Sequence, residues 1–203
     1  MKSPYPFTFL TFILILLGCG GTTKIVDSWK DPSFIAPPKE QQKVVVSVMA
    51  HNESTRRAAE DKMVSMSASL MQSYLVFPNK ESAMDKRKAK QILEEKGFTG
   101  VMTMRLVTSR QTETYVPPSS SMYMGYGGYW GYYGASWGAY YSPGYYQTDL
   151  EYFIESSVYS IKDNQLVWSA ITNTVNPSNI NQTINDVSRT VMRQLLADDI
   201  LER

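Results

Sequence analysis

Histidine and cysteine are nearly absent: His51 and Cys19 are the single examples of each in 203 residues. One of each excludes an intrachain disulfide and any metal site built on several histidines or thiolates. His51 reads as a polar loop residue ahead of a helix, which removes the base of a Ser-His-Asp or Cys-His arrangement. A surplus of one charge sign is absent too. Lys and Arg number 20 against 19 Asp and Glu, so no electrostatic case exists for nucleic acid or anionic headgroups. A phosphate-binding glycine loop is also missing. Gly125-Tyr126-Gly127 opens like a dinucleotide pattern, but Trp130 stands where its third glycine belongs. Glu60-Asp61 and Glu94-Glu95 are adjacent acids whose side chains diverge on a helix, so both pairs read as solvated helix faces. The sequence therefore predicts no enzyme, no cofactor and no metal.

What is present begins at the N-terminus. Lys2 is the only charge in residues 1–18, and an apolar run follows from Phe7 to Leu17. That run is far shorter than the roughly 20 residues a spanning helix needs. A basic start, a short apolar stretch and a small-residue exit read as a signal peptide over residues 1–18. The exit, Leu16-Leu17-Gly18-Cys19, resembles a lipobox. The resemblance implies cleavage before Cys19, acylation of that residue and attachment to a membrane through its lipid, with several acyl chains giving stable anchoring. Gly20, rather than aspartate, follows the cysteine. In a Gram-negative cell this implies sorting to the outer membrane, on its periplasmic side. Cleavage leaves a chain of net charge zero.

Residues 19–42 read as the lipidated cysteine and a tether, because Pro32, Pro37 and Pro38 exclude a continuous helix. Trp29, in Ser28-Trp29-Lys30-Asp31-Pro32, reads as an anchor laying the tether onto the domain, with a partner contact as the other reading.

Residues 43–203 read as one periplasmic α/β domain. Lys43–Ala50 is a β-branched run suited to a buried strand. Asn52 stands ready to cap a long helix whose apolar face is Ala59, Met63, Met66, Leu70 and Tyr74. Tyr74–Phe77 reads as a short strand, and Ser82–Lys96 as a helix stopped by Gly97. Val101–Val116 alternates as a strand. Two more strands follow, around Leu150–Val158 and from Leu166, joined by a turn at Lys162–Gln165. Pro177-Ser178-Asn179 caps a final helix with Ile180, Ile184, Val187, Val191 and Leu195 on one face. The order βαβαβββα predicts a mixed parallel and antiparallel sheet covered by helices.

The lipidated cysteine, Ser28–Pro32, the strand-helix start and Leu166-Val167-Trp168-Ser169-Ala170 resemble an uncharacterised family of bacterial lipoproteins. The fold order is similar to periplasmic domains of the curli-secretion lipoprotein, of penicillin-binding-protein activator lipoproteins and of the N-terminal part of the Tol-system protein TolB. That similarity implies an assembly or partner-binding domain, and fold alone does not fix function.

A long Tyr/Gly-rich insertion, residues 117–146, separates two strands expected to pair. From residue 114 to 148 no side chain is charged, while ten of the fourteen tyrosines and seven of the twelve glycines fall there. It has neither helical nor strand periodicity. Tyr126, Tyr129, Trp130, Tyr132, Tyr133, Trp137, Tyr140 and Tyr141 are its candidate contact surface. One reading is a plain loop with stacked aromatics. A second is a contact surface for an envelope protein or a cell-wall glycan, since rings give large area at low rotamer cost. A third is self-association or membrane contact.

Overall fold

The computed structural model describes residues 22–77, 79, 82–83, 85–116 and 145–202. Six strands make one sheet: β1 (Thr22–Lys30), β2 (Val44–Met49), β3 (Leu70–Gln72), β4 (Gly100–Val116), β5 (Tyr145–Ser160) and β6 (Gln165–Val175). The α-helices delimited among the described residues are α1 (Glu53–Val64), the single turn α2 (Ser73–Val76), α3 (Lys86–Glu95) and α4 (Ile180–Ala197). Strand order is β1-β6-β5-β4-β2-β3. β2 runs parallel to β3 and β4, and the remaining pairs are antiparallel. The fold is thus the mixed α/β sheet flanked by helices that the sequence predicts.

Both sheet faces are covered around the first half of β2, which is why Val44, Val45 and Val46 are apolar in succession. Val44 and Val46 join Met102, Trp168, Met63 of α1 and Val191 and Leu195 of α4 in one cluster. Val45 points the other way, to Val76, Leu93 and Phe98. The alternation follows from the two-residue period of a strand. Each such large apolar side chain taken from water contributes roughly 1.5–3 kcal/mol before ordering entropy is charged against it.

The stretch expected to be a tether differs. It carries β1, paired with β6 from Thr22↔Val175 to Lys30↔Trp168. Its sequence hides this because an edge strand needs little apolar alternation; its Lys24 and Lys30, with a register shift between Ile25 and Asp27, are typical of protected edges. Trp29 lies opposite Ser169 and stays 49% exposed. The segment is fastened by its backbone ladder, and burial of the indole has little part in it.

The helix expected through Tyr74 ends at Val64. Ser65 Oγ donates to the Lys62 carbonyl at 2.7 Å, and Ser67 Oγ accepts the Ser69 N–H at 3.3 Å. Such local bonds compete with helix continuation. Leu70 then belongs to β3, and Ser73–Val76 is a helical turn where a strand was expected.

Glu60 explains that turn and corrects the reading of Glu60 as solvated. It is fully buried. Its carboxylate accepts the Ser73 N–H at 2.9 Å, the Ser73 hydroxyl at 2.8 Å and the Val48 N–H at 3.1 Å. Arg56 lies 3.3 Å away. One acid thereby joins α1 to the end of β2 and to the start of α2, where free N–H groups welcome negative charge.

Helix starts follow the sequence closely. Asn52 accepts from Ser54 and Thr55, Asp85 from Arg87 and Lys88, and Asn179 from Gln182. α3 begins at Lys86 after its cap Asp85, with Ser82 and Ala83 already helical ahead of it, and Gly97 takes φ +69° beyond its end.

Candidate functional site

β4 and β5 are the longest neighbours in the sheet, and they outrun it. β2 leaves β4 at Met49↔Arg105, and β6 leaves β5 at Glu151↔Val175. β4 and β5 continue as a pair from Gln111↔Leu150 to Val116↔Tyr145. At about 3.4 Å per residue this two-stranded arm projects about 20 Å. Residues 117–144 connect its two strand ends.

The arm has a defined foot. Asn176, just after β6, adopts φ 47°, a left-handed conformation that asparagine tolerates. Its N–H donates to the Leu150 carbonyl, and its side-chain oxygen accepts the Leu150 N–H, both at 2.8 Å. Its amide nitrogen donates to Asp149 at 2.7 Å. The hydrogen bond from Asn176, then that from Gln147, holds the Asp149 carboxyl below its ordinary range. Lower down, Arg105 and Glu155 form an ion pair at 2.5 Å, and the Arg110 guanidinium lies 5.6 Å from the Phe153 ring centre.

Beside the foot is a crevice of about 490 Å³ between α1, α4 and the sheet. Met49, Leu106, Tyr152, Ile154, Ile180 and Ile184 supply most of its apolar wall, and His51 stands at its edge. It lies at the carboxyl end of β2, a common place for ligands in open α/β sheets. Among the described residues that line it, none is an aspartate or a glutamate. Arg105, Thr55, Asn179 and Thr183 add polar groups to this wall. A larger recess of about 960 Å³ at the opposite end is lined by Phe34, Phe98, Tyr159 and Lys162.

Cys19 and the eight aromatics Tyr126, Tyr129, Trp130, Tyr132, Tyr133, Trp137, Tyr140 and Tyr141 lie outside the described residues. Tyr145 and Tyr146, placed by sequence inside the insertion, are strand residues of β5 and well exposed. The crevice and the Asn176 foot carry no sequence signal of their own, because they depend on elements brought together from both ends of the chain. Among the described residues, no group of three His, Cys, Asp or Glu side chains is placed to hold a metal ion. No helix among them is long and apolar enough to cross a membrane.

Among known proteins, no family model matches the chain, and no curated protein sequence matches it. Solved structures do. Two crystal forms of dodecameric PelC from Paraburkholderia phytofirmans are similar to it at 10% identity over 84% of this chain, with TM-scores of 0.44 and 0.43 and 95% and 94% of that chain covered. Lipoprotein GNA1162 from Neisseria meningitidis is similar at 10% identity over 76% of this chain and 98% of that one, with a TM-score of 0.38.

Proposed function

We propose that this chain is an envelope lipoprotein. It is cut before Cys19, acylated there, and held by its lipid on the periplasmic side of the outer membrane. It works as a non-catalytic binding or assembly module whose contact element is the Tyr/Gly tract. The observation that carries this reading is the arm. A hydrogen-bonded pair of strands leaves the sheet and holds the two ends of an uncharged, aromatic-rich tract clear of a core completed elsewhere. The short apolar run ending in Leu17-Gly18-Cys19 supports the anchor. The largely apolar crevice at the arm's foot supports a binding role.

Photo-crosslinking in living cells, with the probe in place of Trp130, tests the reading. A discrete crosslinked protein band supports an assembly or adaptor role and identifies the partner. Absence of any band from a folded, correctly localised protein overturns a protein partner and leaves either cell-wall glycan as the contact or a plain loop with no partner.

A second reading, self-association into an envelope structure, is favoured by one feature. Beyond Arg105 on β4 and Glu151 on β5, the outer strand edges of the arm have no neighbour strand among the described residues. Open edges pair readily with other strands. Sedimentation of the mature soluble domain over a wide concentration range decides this reading: monomer throughout removes it.

A further inference from the structure

The geometry points to the bilayer that holds the Cys19 lipid as the surface met by the β4–β5 arm. The inference rests on the acylation of Cys19 proposed above. One cross-strand row, Thr22↔Val175↔Glu151↔Arg110, crosses β1, β6, β5 and β4. From one end of this row the chain runs back toward Cys19; from the other end the arm leaves the sheet. Anchor and arm therefore depart from the same end of the molecule.

Lengths then decide where the arm lies. Cys19 is three residues ahead of Thr22, and three extended residues span at most about 11 Å. The arm projects about 20 Å beyond the row. The lipid attachment point is tied closer to the sheet than the arm's far end is, so an arm continuing the strand direction reaches the headgroup level.

The chemistry of this end agrees. Charges on the described arm stop at Glu113 and Asp149, and none occurs between residues 114 and 148. Its far end carries Tyr145, 61% exposed, and Tyr146, 72% exposed. Tyrosine favours the membrane interface, where the ring meets acyl chains and the hydroxyl meets water. Met49, Leu106, Leu150 and Ile180 are also exposed near the arm's foot. With a mature chain of zero net charge, apolar and aromatic contact is the attraction available to it.

The test uses the mature, lipidated protein in vesicles of phosphatidylethanolamine and phosphatidylglycerol. Cys19 is the sole native cysteine and its thiol is acylated in that form, so an introduced cysteine is the only free thiol. Tyr146→Cys, Thr148→Cys and Lys162→Cys, the last at the opposite end of the sheet, each receive an environment-sensitive fluorophore. Nitroxide-headgroup lipid in the vesicles should remove most of the emission at 146 and 148 and little at 162. Protein that floats with the vesicles but shows no more quenching at 146 and 148 than at 162 overturns the inference and leaves the anchor intact. Protein that fails to float, with Cys19 free of acyl groups by mass spectrometry, overturns the lipoprotein reading itself and the inference with it.

Discussion

Asn176 grips Leu150 twice, giving its backbone N–H to the Leu150 carbonyl and receiving the Leu150 N–H on its side-chain oxygen, each at 2.8 Å. The pair closes the sheet where β6 ends and the arm begins. Asn176→Ala removes the side-chain acceptor and puts alanine at φ 47°. The expected cost is about 1–3 kcal/mol, from a lost local bond and backbone strain. Amide exchange should quicken around residues 147–150 while β2 stays protected. Uniform quickening throughout the sheet would mean that Asn176 supports the whole fold and has no special part at the foot of the arm.

Glu60→Ala should be among the most damaging single changes. It leaves the Val48 and Ser73 N–H groups without their acceptor and Arg56 without a buried partner. Removing one side of such an arrangement costs about 3–5 kcal/mol. Glu60→Gln keeps an acceptor and should lose less. Urea denaturation of the two variants checks the order, and equal midpoints would contradict it.

Trp168 is wholly buried, and its indole N–H donates to Asp198 at 2.7 Å. Lys30 reaches the carbonyl of the same Asp198 at 2.5 Å. Trp168→Phe preserves a ring but removes the donor, and should cost about 1–3 kcal/mol. Asp198→Asn should cost less, because its oxygen still accepts. Thermal melting of both variants tests the ranking.

Glu53 gives a pH prediction. Hydrogen bonds from Arg56, then from Arg57, pull its carboxyl from 4.5 down to about 2. The folded state therefore binds fewer protons than the unfolded state between those two values. This contribution to stability is complete above the unfolded pKa and is lost as pH falls through about 2. The side chain is solvent-exposed, so the effect on stability is small and the titration itself is the better readout. An NMR titration should show Glu53 still ionised at pH 3, and Arg56→Gln should raise its midpoint.

Much of the fold is legible in the chain because its elements announce themselves locally. Val44–Val46 is apolar since both its faces are covered, and Asn52 and the Pro177-Ser178-Asn179 run mark helix starts through bonds that span only a few residues. The β5–β6 turn falls at Asn164, which takes φ 54°. What resisted reading depends on distant partners. Thr22–Lys30 is a strand only because β6, far along the chain, offers it an edge. Glu60 and Asp61 look alike in sequence, and which of them turns inward is decided by Ser73 and Val48. The same holds for the site. The uncharged aromatic tract is plain from composition, and the strand over Val101–Val116 is plain from alternation. The crevice at the arm's foot needs Met49, Ile154 and Ile180, from three separate elements, to meet.

The place of β1 has a mechanical consequence. A pull applied to the chain ahead of Thr22, directed away from that end of the sheet, runs along the strand axis. The eight register pairs with β6 then share the load in shear, whereas a sideways tug would open them one after another. Force arriving along that axis is resisted collectively by the ladder, and the domain takes the strain as one body rather than unravelling from its first residue.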